Sequence, residues 1–210
     1  MKLFSYIHRE GWKFALISFL MSVLLTFVWL PLGFLSFINT FFILWFFRDP
    51  ERKTPQINNS IISAADGKIC LIDKAYLPEE AGLGKVQMKR VCVFMNVLNV
   101  HVNRSPINGI VEKVIYKSGS FFNASLDKAS EKNERSSLVL KTTTGTQIVV
   151  VQIAGLIARR ILSFVKPKDN LSAGERFGLI RFGSRVDIYL PAGTVSQAII
   201  GQKCISGETV

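Results

Sequence analysis

No charged side chain occurs from Phe14 to Phe47, and this block restricts the fold more than any other feature of the chain. A soluble domain assembles its core from amphipathic elements that keep one face in water. In a chain of 210 residues so long an uncharged stretch is hard to bury. It divides at Pro31-Leu32-Gly33, a turn signal. Phe14–Leu30 is apolar except for Ser18, Ser22 and Thr26, and it just reaches the lower limit, about 17 residues, for a helix that spans a bilayer. Phe34–Phe47 is shorter. Arg9 and Lys13 lie before the block and Arg48, Arg52 and Lys53 after it. The positive-inside tendency puts both basic flanks on the cytoplasmic side. Two crossings satisfy that, as does a re-entrant hairpin turning at Pro31–Gly33; a single crossing does not. Trp12, Trp29 and Trp45 lie near the ends of the two runs, where interfacial tryptophan concentrates. No small-residue cleavage site follows, which makes a secretory signal a poor match. The expectation is a helical membrane hairpin over residues 1–47 carrying a domain over residues 48–210, at the inner cell membrane and facing the cytoplasm.

Beyond the block the pattern changes. Short apolar runs alternate with Gly, Pro and Asp-Gly turns: Ile69–Tyr76, Val86–Val97, Ile110–Ile115, Leu138–Lys141, Ile148–Ile153 and Val186–Leu190. Close-spaced strands of this kind predict a mostly β domain, a sandwich or barrel. Leu138–Ile153 has the form of a hairpin around a Thr-rich turn. Gly155–Ile161 has a helical look, and Val195–Lys203 reads as short strands and turns.

The charge balance is strongly basic, 26 Lys and Arg against 15 Asp and Glu. Such an excess faces something anionic. Neither an RNA-binding aromatic motif nor zinc-finger spacing is present, so the apolar block favours anionic lipid over nucleic acid. Cys70, Cys92 and Cys204 are odd in number, widely spaced and set in apolar runs. They read as small hydrophobes in a reducing compartment. Nothing has metal-ligand spacing, and no metal is expected.

Three positions carry candidate chemistry. Ser184 follows Gly183 between Arg181 and Arg185, ahead of an alternating run in which Val186, Ile188 and Leu190 share one face and Asp187 and Tyr189 the other. His101 is one of two histidines, and the other, His8, precedes the apolar block. Asp66 opens an Asp-Gly turn. Asp, His and Ser are the parts of a nucleophilic triad, in which the imidazole takes the hydroxyl proton and the acid orients it. On spacing alone Gly-Ser and Asp-Gly are equally turn signals, and a lone histidine is equally structural.

The surrounding words decide between these readings. They are Phe47-Arg48-Asp49-Pro50-Glu51-Arg52, Ala65-Asp66-Gly67-Lys68-Ile69, and Phe94-Met95-Asn96 through Val100-His101-Val102-Asn103-Arg104-Ser105-Pro106. Asn133-Glu134-Arg135, Gln152-Ile153-Ala154-Gly155 and Arg181-Phe182-Gly183-Ser184-Arg185-Val186-Asp187 complete the set. In this order, after an apolar anchor, they resemble the phosphatidylserine decarboxylases in their short, membrane-anchored (type A) form. The turns after Pro191 look like those of a lipoyl-type β-sandwich.

The resemblance implies a self-processing zymogen. Ser184 would attack the Gly183 carbonyl, with His101 as base and Asp66 holding His101. Cleavage between Gly183 and Ser184 would leave a β fragment, 1–183, and an α fragment, 184–210, that stay together as a heterodimer, with higher oligomers open. Ser184 would become a pyruvoyl group, the covalent cofactor. Its ketone would form a Schiff base with the amine of phosphatidylserine and act as an electron sink for loss of carbon dioxide, giving phosphatidylethanolamine in phospholipid biosynthesis. His101 would reprotonate the product. Two alternatives stand beside this carboxy-lyase: a pyruvoyl decarboxylase acting on another amino headgroup, and a non-enzymatic, membrane-tethered lipoyl-like β module.

Overall fold

The computed structural model describes residues 6–57, 60–122, 132–156, 160–181 and 184–209. The chain divides into two compact units, residues 1–51 and residues 52–210.

The first unit is a pair of antiparallel helices, α1 (Arg9–Val28) and α2 (Leu30–Phe46). His8 caps α1 by accepting the Glu10 backbone N–H. The chain reverses at Trp29, whose extended backbone (φ −162°) separates the two helices. This differs from the turn expected at Pro31–Gly33. Proline is tolerated in the first turn of a helix, where its missing N–H has no partner to lose, so Pro31 starts α2 and does not interrupt it. Gly33 is then a contact residue: a Cβ there would lie 2.7 Å from Thr26 Cα.

The hairpin is polar inside and apolar outside. Ser18 and Thr40 hydroxyls meet at 2.8 Å, and Ser22 donates to Ser36 at 2.8 Å. Asn39 donates to Ser18. Leu16, Ile17, Leu24, Phe34, Leu35, Ile38 and Phe41 all point outward, exposed. Water would penalise that arrangement and hydrocarbon favours it, since small and hydroxylated residues are what lets helices pack in lipid. α1, with 20 residues, is long and apolar enough to cross a membrane; α2 is shorter, with 17.

The second unit is mostly β, as expected. Its strands are β1 (Gly67–Tyr76), β2 (Gln87–Met95), β3 (Val102–Arg104), β4 (Gly109–Lys117), β5 (Arg135–Lys141), β6 (Gln147–Ala154), β7 (Arg160–Ser163), β8 (Asn170–Leu171), β9 (Arg176–Arg181), β10 (Ser184–Leu190) and β11 (Lys203–Cys204). Eight form one curled sheet in the order β11-β1-β2-β10-β6-β5-β4-β8, and β3-β9-β7 form a second. Arg160 and Ile161, expected on a helix, lie instead on β7, paired with Arg181 and Ile180 of β9; residues 157–159 of that stretch are outside the described residues. A cross-strand pair of β-branched residues, Ile161 and Ile180, outweighs a weak helical periodicity. Of the strands expected over 195–203, only Lys203–Cys204 pairs, with Lys68 and Gly67.

β10 lies at the centre of the large sheet, antiparallel to β2 on one side and β6 on the other. The alternation along it holds: Val186, Ile188 and Leu190 join the main core with Val91, Val93, Leu138, Val150, Phe177 and Ile180. Each such side chain contributes roughly 1.5–3 kcal/mol by leaving water. The opposite face is also covered. There Tyr189 packs with Leu77, Ala81, Val149, Val151 and Ile153.

Candidate active site

One end of the large sheet gathers the candidate residues. Ser184, the first residue of β10, stands in register with Met95 at the end of β2 and with Ala154 at the end of β6. It is fully buried. Its hydroxyl donates to the Met95 thioether at 3.5 Å, and the Asn103 amide donates to the same sulfur at 3.6 Å. Asn103 in turn accepts from Gln152 Nε2 at 2.8 Å. Asn103 and Gln152 are both buried, so each amide is held by a satisfied bond rather than by solvent.

His101 precedes β3 by one residue and does not lie on a strand. It is fully buried. Its Nδ1 lies 2.9 Å from the Asn99 carbonyl. A carbonyl only accepts, so Nδ1 carries the proton in this contact, and in the neutral ring the lone pair is then on Nε2. That is the tautomer a general base requires. The His101 carbonyl accepts from Ile180 N, which ties this segment to β9.

Asp66 lies just before β1. Arg52 grips both its oxygens, at 2.9 and 3.1 Å, and Ser206 N donates to Oδ1 at 2.8 Å. Two charge-assisted bonds and a backbone donor fix the carboxylate in place. Gly67 beside it is required by proximity: a Cβ there would sit 2.1 Å from the Phe94 carbonyl. Phe94 is also in register with Lys68 on one side and Arg185 on the other. The Asp66 and Ser184 segments therefore flank β2. Arg104 N donates to the Ala64 carbonyl, which joins the His101 segment to the Asp66 segment as well. Gly183, on the carbonyl side of the expected cut, and Phe182 lie outside the described residues.

Behind Ser184, on the other face of β10, is a buried ionic chain. Arg185 donates to both oxygens of Asp187, at 2.8 and 2.9 Å, and both side chains are essentially inaccessible. Arg90 of β2 lies 3.7 Å from Asp187 and makes a two-bonded pair with Asp73 of β1. Burial alone would lower the Arg185 pKa, but Asp187 beside it more than reverses this and holds the guanidinium charged. Burial, then the Asp187 charge, push the Cys92 thiol well above its ordinary range and Tyr189 up to about 12. Cys92 is therefore an inert neutral thiol, in keeping with the expected role as a small hydrophobe.

Met95, Asn103 and Gln152 sit inside the sequence words that carry the resemblance, but no periodicity marks them as neighbours of Ser184. Only the pairing of β10 with β2 and β6, and of β3 with β9, brings them together.

A buried serine heads the central strand of a curled sheet, and the segment after β2 carries a buried imidazole, in a domain that follows a lipid-suited hairpin. These features define a mostly β domain preceded by a helix pair, one helix of which is long and apolar enough to cross a membrane. A model of the phosphatidylserine decarboxylase family matches residues 38–210, and the chain belongs to that family.

Proposed function

We propose that the chain is a self-processing decarboxylase of the short, membrane-anchored (type A) form. It cuts itself between Gly183 and Ser184 and converts phosphatidylserine to phosphatidylethanolamine and carbon dioxide. The observation that carries this reading is Ser184 itself: a fully buried hydroxyl at the first position of β10, oriented by a sulfur and bordered by Asn103.

His101 Nε2 takes the Ser184 proton. Oγ adds to the Gly183 carbonyl, and the peptide C–N bond breaks as the amide nitrogen is protonated, which leaves an ester. Loss of the Ser184 α-proton then expels the Gly183 carboxylate, and water releases the nitrogen as ammonia. Asp66, itself fixed by Arg52, holds His101 and stabilises the charge that the imidazole takes on. A pyruvoyl group fits here because it is built from Ser184's own atoms and needs no more room than that residue. Met95, Ala154 and Asn103 border its place at the head of β10. Bound there, the group supplies an electrophilic carbonyl that withdraws electrons as carbon dioxide leaves. His101 then returns a proton to the substrate carbon.

The hairpin anchors the protein in the inner membrane with the domain in the cytoplasm, and the net charge of +11 suits an anionic surface. The test uses two variants and one trap. Ser184→Ala and His101→Ala each leave one uncut, inactive chain. Borohydride with phosphatidylserine adds the lipid's mass to the small fragment of the unsubstituted protein. Efficient cutting of His101→Ala would remove that residue from the base role, and absence of the adduct would remove the pyruvoyl chemistry.

A further inference from the structure

The end of the sheet that holds Ser184 also carries the loops after β2, β4 and β6. Large apolar side chains stand in water there: Leu98 is 58% exposed, Phe122 50%, Phe121 38% and Leu156 70%. Single exposed apolar residues are ordinary; four on loops round one site are a surface.

Phe121 and Phe122 are not loosely placed. Asn133, itself 1% exposed, accepts from Phe122 N at 2.9 Å and donates to the Phe122 carbonyl at 2.7 Å. Its amide also donates to the Ala154 carbonyl at 2.7 Å. Ala154 is the register partner of Ser184. A buried amide therefore clamps the phenylalanine loop to the strand end beside the site, with its rings facing solvent. Such order costs conformational entropy, and it leaves half of the Phe122 surface and over a third of the Phe121 surface in water. Among the described residues of this rim, Lys132 and Arg160 are exposed, Lys117 is exposed 3.9 Å from Glu80, and Glu134 is buried. Apolar side chains surrounded by lysine and arginine match an anionic bilayer, which takes up the former in its acyl boundary and the latter at its headgroups.

We propose that this rim, formed by Leu98, Phe121, Phe122 and Leu156, docks into the surface of an anionic bilayer, so that a lipid reaches Ser184 without passing through water. The choice of occupant rests on the lipid-decarboxylase reading. The contact is separate from the α1–α2 hairpin: it orients the site, whereas the hairpin holds the protein at the membrane.

The experiment reads insertion without needing activity. An environment-sensitive nitrobenzoxadiazole label is placed on the full chain at Leu156→Cys and, as a far-end control, at Thr144→Cys in the β5–β6 turn. The unsubstituted chain, labelled identically, gives the background from Cys70, Cys92 and Cys204. Each protein is reconstituted into vesicles of phosphatidylserine and phosphatidylcholine bearing brominated acyl chains. The proposal expects a blue-shifted emission at position 156 and quenching several-fold stronger than at 144. Phe121→Ser/Phe122→Ser, made in the Leu156→Cys chain and checked for an unchanged melting temperature, reduces that quenching by about tenfold in the docking equilibrium, as loss of two partly buried apolar side chains implies. Equal quenching at 156 and 144 would overturn the proposal, as would quenching at 156 that the double substitution leaves unchanged. Because the readout is optical, strong quenching at 156 in a protein that decarboxylates nothing would support docking and count against the catalytic reading alone.

Discussion

Asp187 shows how a single side chain constrains both the sheet and its chemistry. It receives two bonds from Arg185, lies near Arg90, and faces Cys92 across the β10–β2 ladder. Removing its charge takes from the buried Arg185 guanidinium the carboxylate that receives both of these bonds. Asp187→Asn is expected to destabilise the domain by about 3–5 kcal/mol, read from urea unfolding. A loss below about 1 kcal/mol would mean that the pair is solvated in solution. Tyr189 and Cys92, on the same face, make a pH prediction. The folded state favours their neutral forms, so they bind protons that the unfolded chain releases first. Tyr189 has an ordinary value of 10.0 and a folded value of about 12. Its contribution is complete below pH 10 and is lost as the pH rises from there to about 12, at up to about 1.4 kcal/mol per pH unit. Urea midpoints should fall over that range, and Tyr189→Phe should flatten the fall. The Asp187 and Tyr189 face was legible in the sequence as an alternation. Burial of Arg185 was not, because an arginine beside a Gly-Ser step reads as solvated until its partner two residues on is seen to share a covered face.

The helix pair and the central strand differ in how openly the sequence displays them. Length without charge is enough to specify α1 and α2, since few other environments accept it. The reversal point was misplaced, because proline signals a turn and a helix start equally well. The serines and threonines that interrupt the apolar run turned out to be the seam. Ser18 and Thr40 hydroxyls are 2.8 Å apart, so a Ser18→Cys/Thr40→Cys chain should cross-link readily under mild oxidation. Adding Gly33→Leu should lower the yield sharply, because a side chain there collides with Thr26. An unchanged yield would show that the helices pack along another seam. Strand positions were legible from turn residues and alternation. β7 was not: its partner, β9, lies 13 residues further on at its near end (Ser163 to Arg176), and a four-residue strand carries little pattern of its own. For the site, residue types and local words marked Asp66, His101 and Ser184. Met95, Asn103 and Gln152 became visible only through register.

In the molecule as a whole, the expected cut falls at a boundary that the sheet can survive. β10 begins at Ser184 and stays hydrogen-bonded to β2 and β6 along its length. The ionic chain from Asp187 through Arg90 to Asp73 also spans the two fragments. The 184–210 fragment is therefore the central strand of a sheet that the 1–183 fragment completes. The two should co-purify under native conditions and separate only in denaturant; separation in mild buffer would contradict this placement of β10. The central claim is that Ser184 is consumed to make the catalytic group, and the intact mass of purified, active protein tests it most directly. The account predicts two species, 1–183 and a 184–210 fragment that carries a ketone in place of its amino terminus and resists Edman degradation. A single 23.5 kDa chain in a preparation that decarboxylates phosphatidylserine would contradict it.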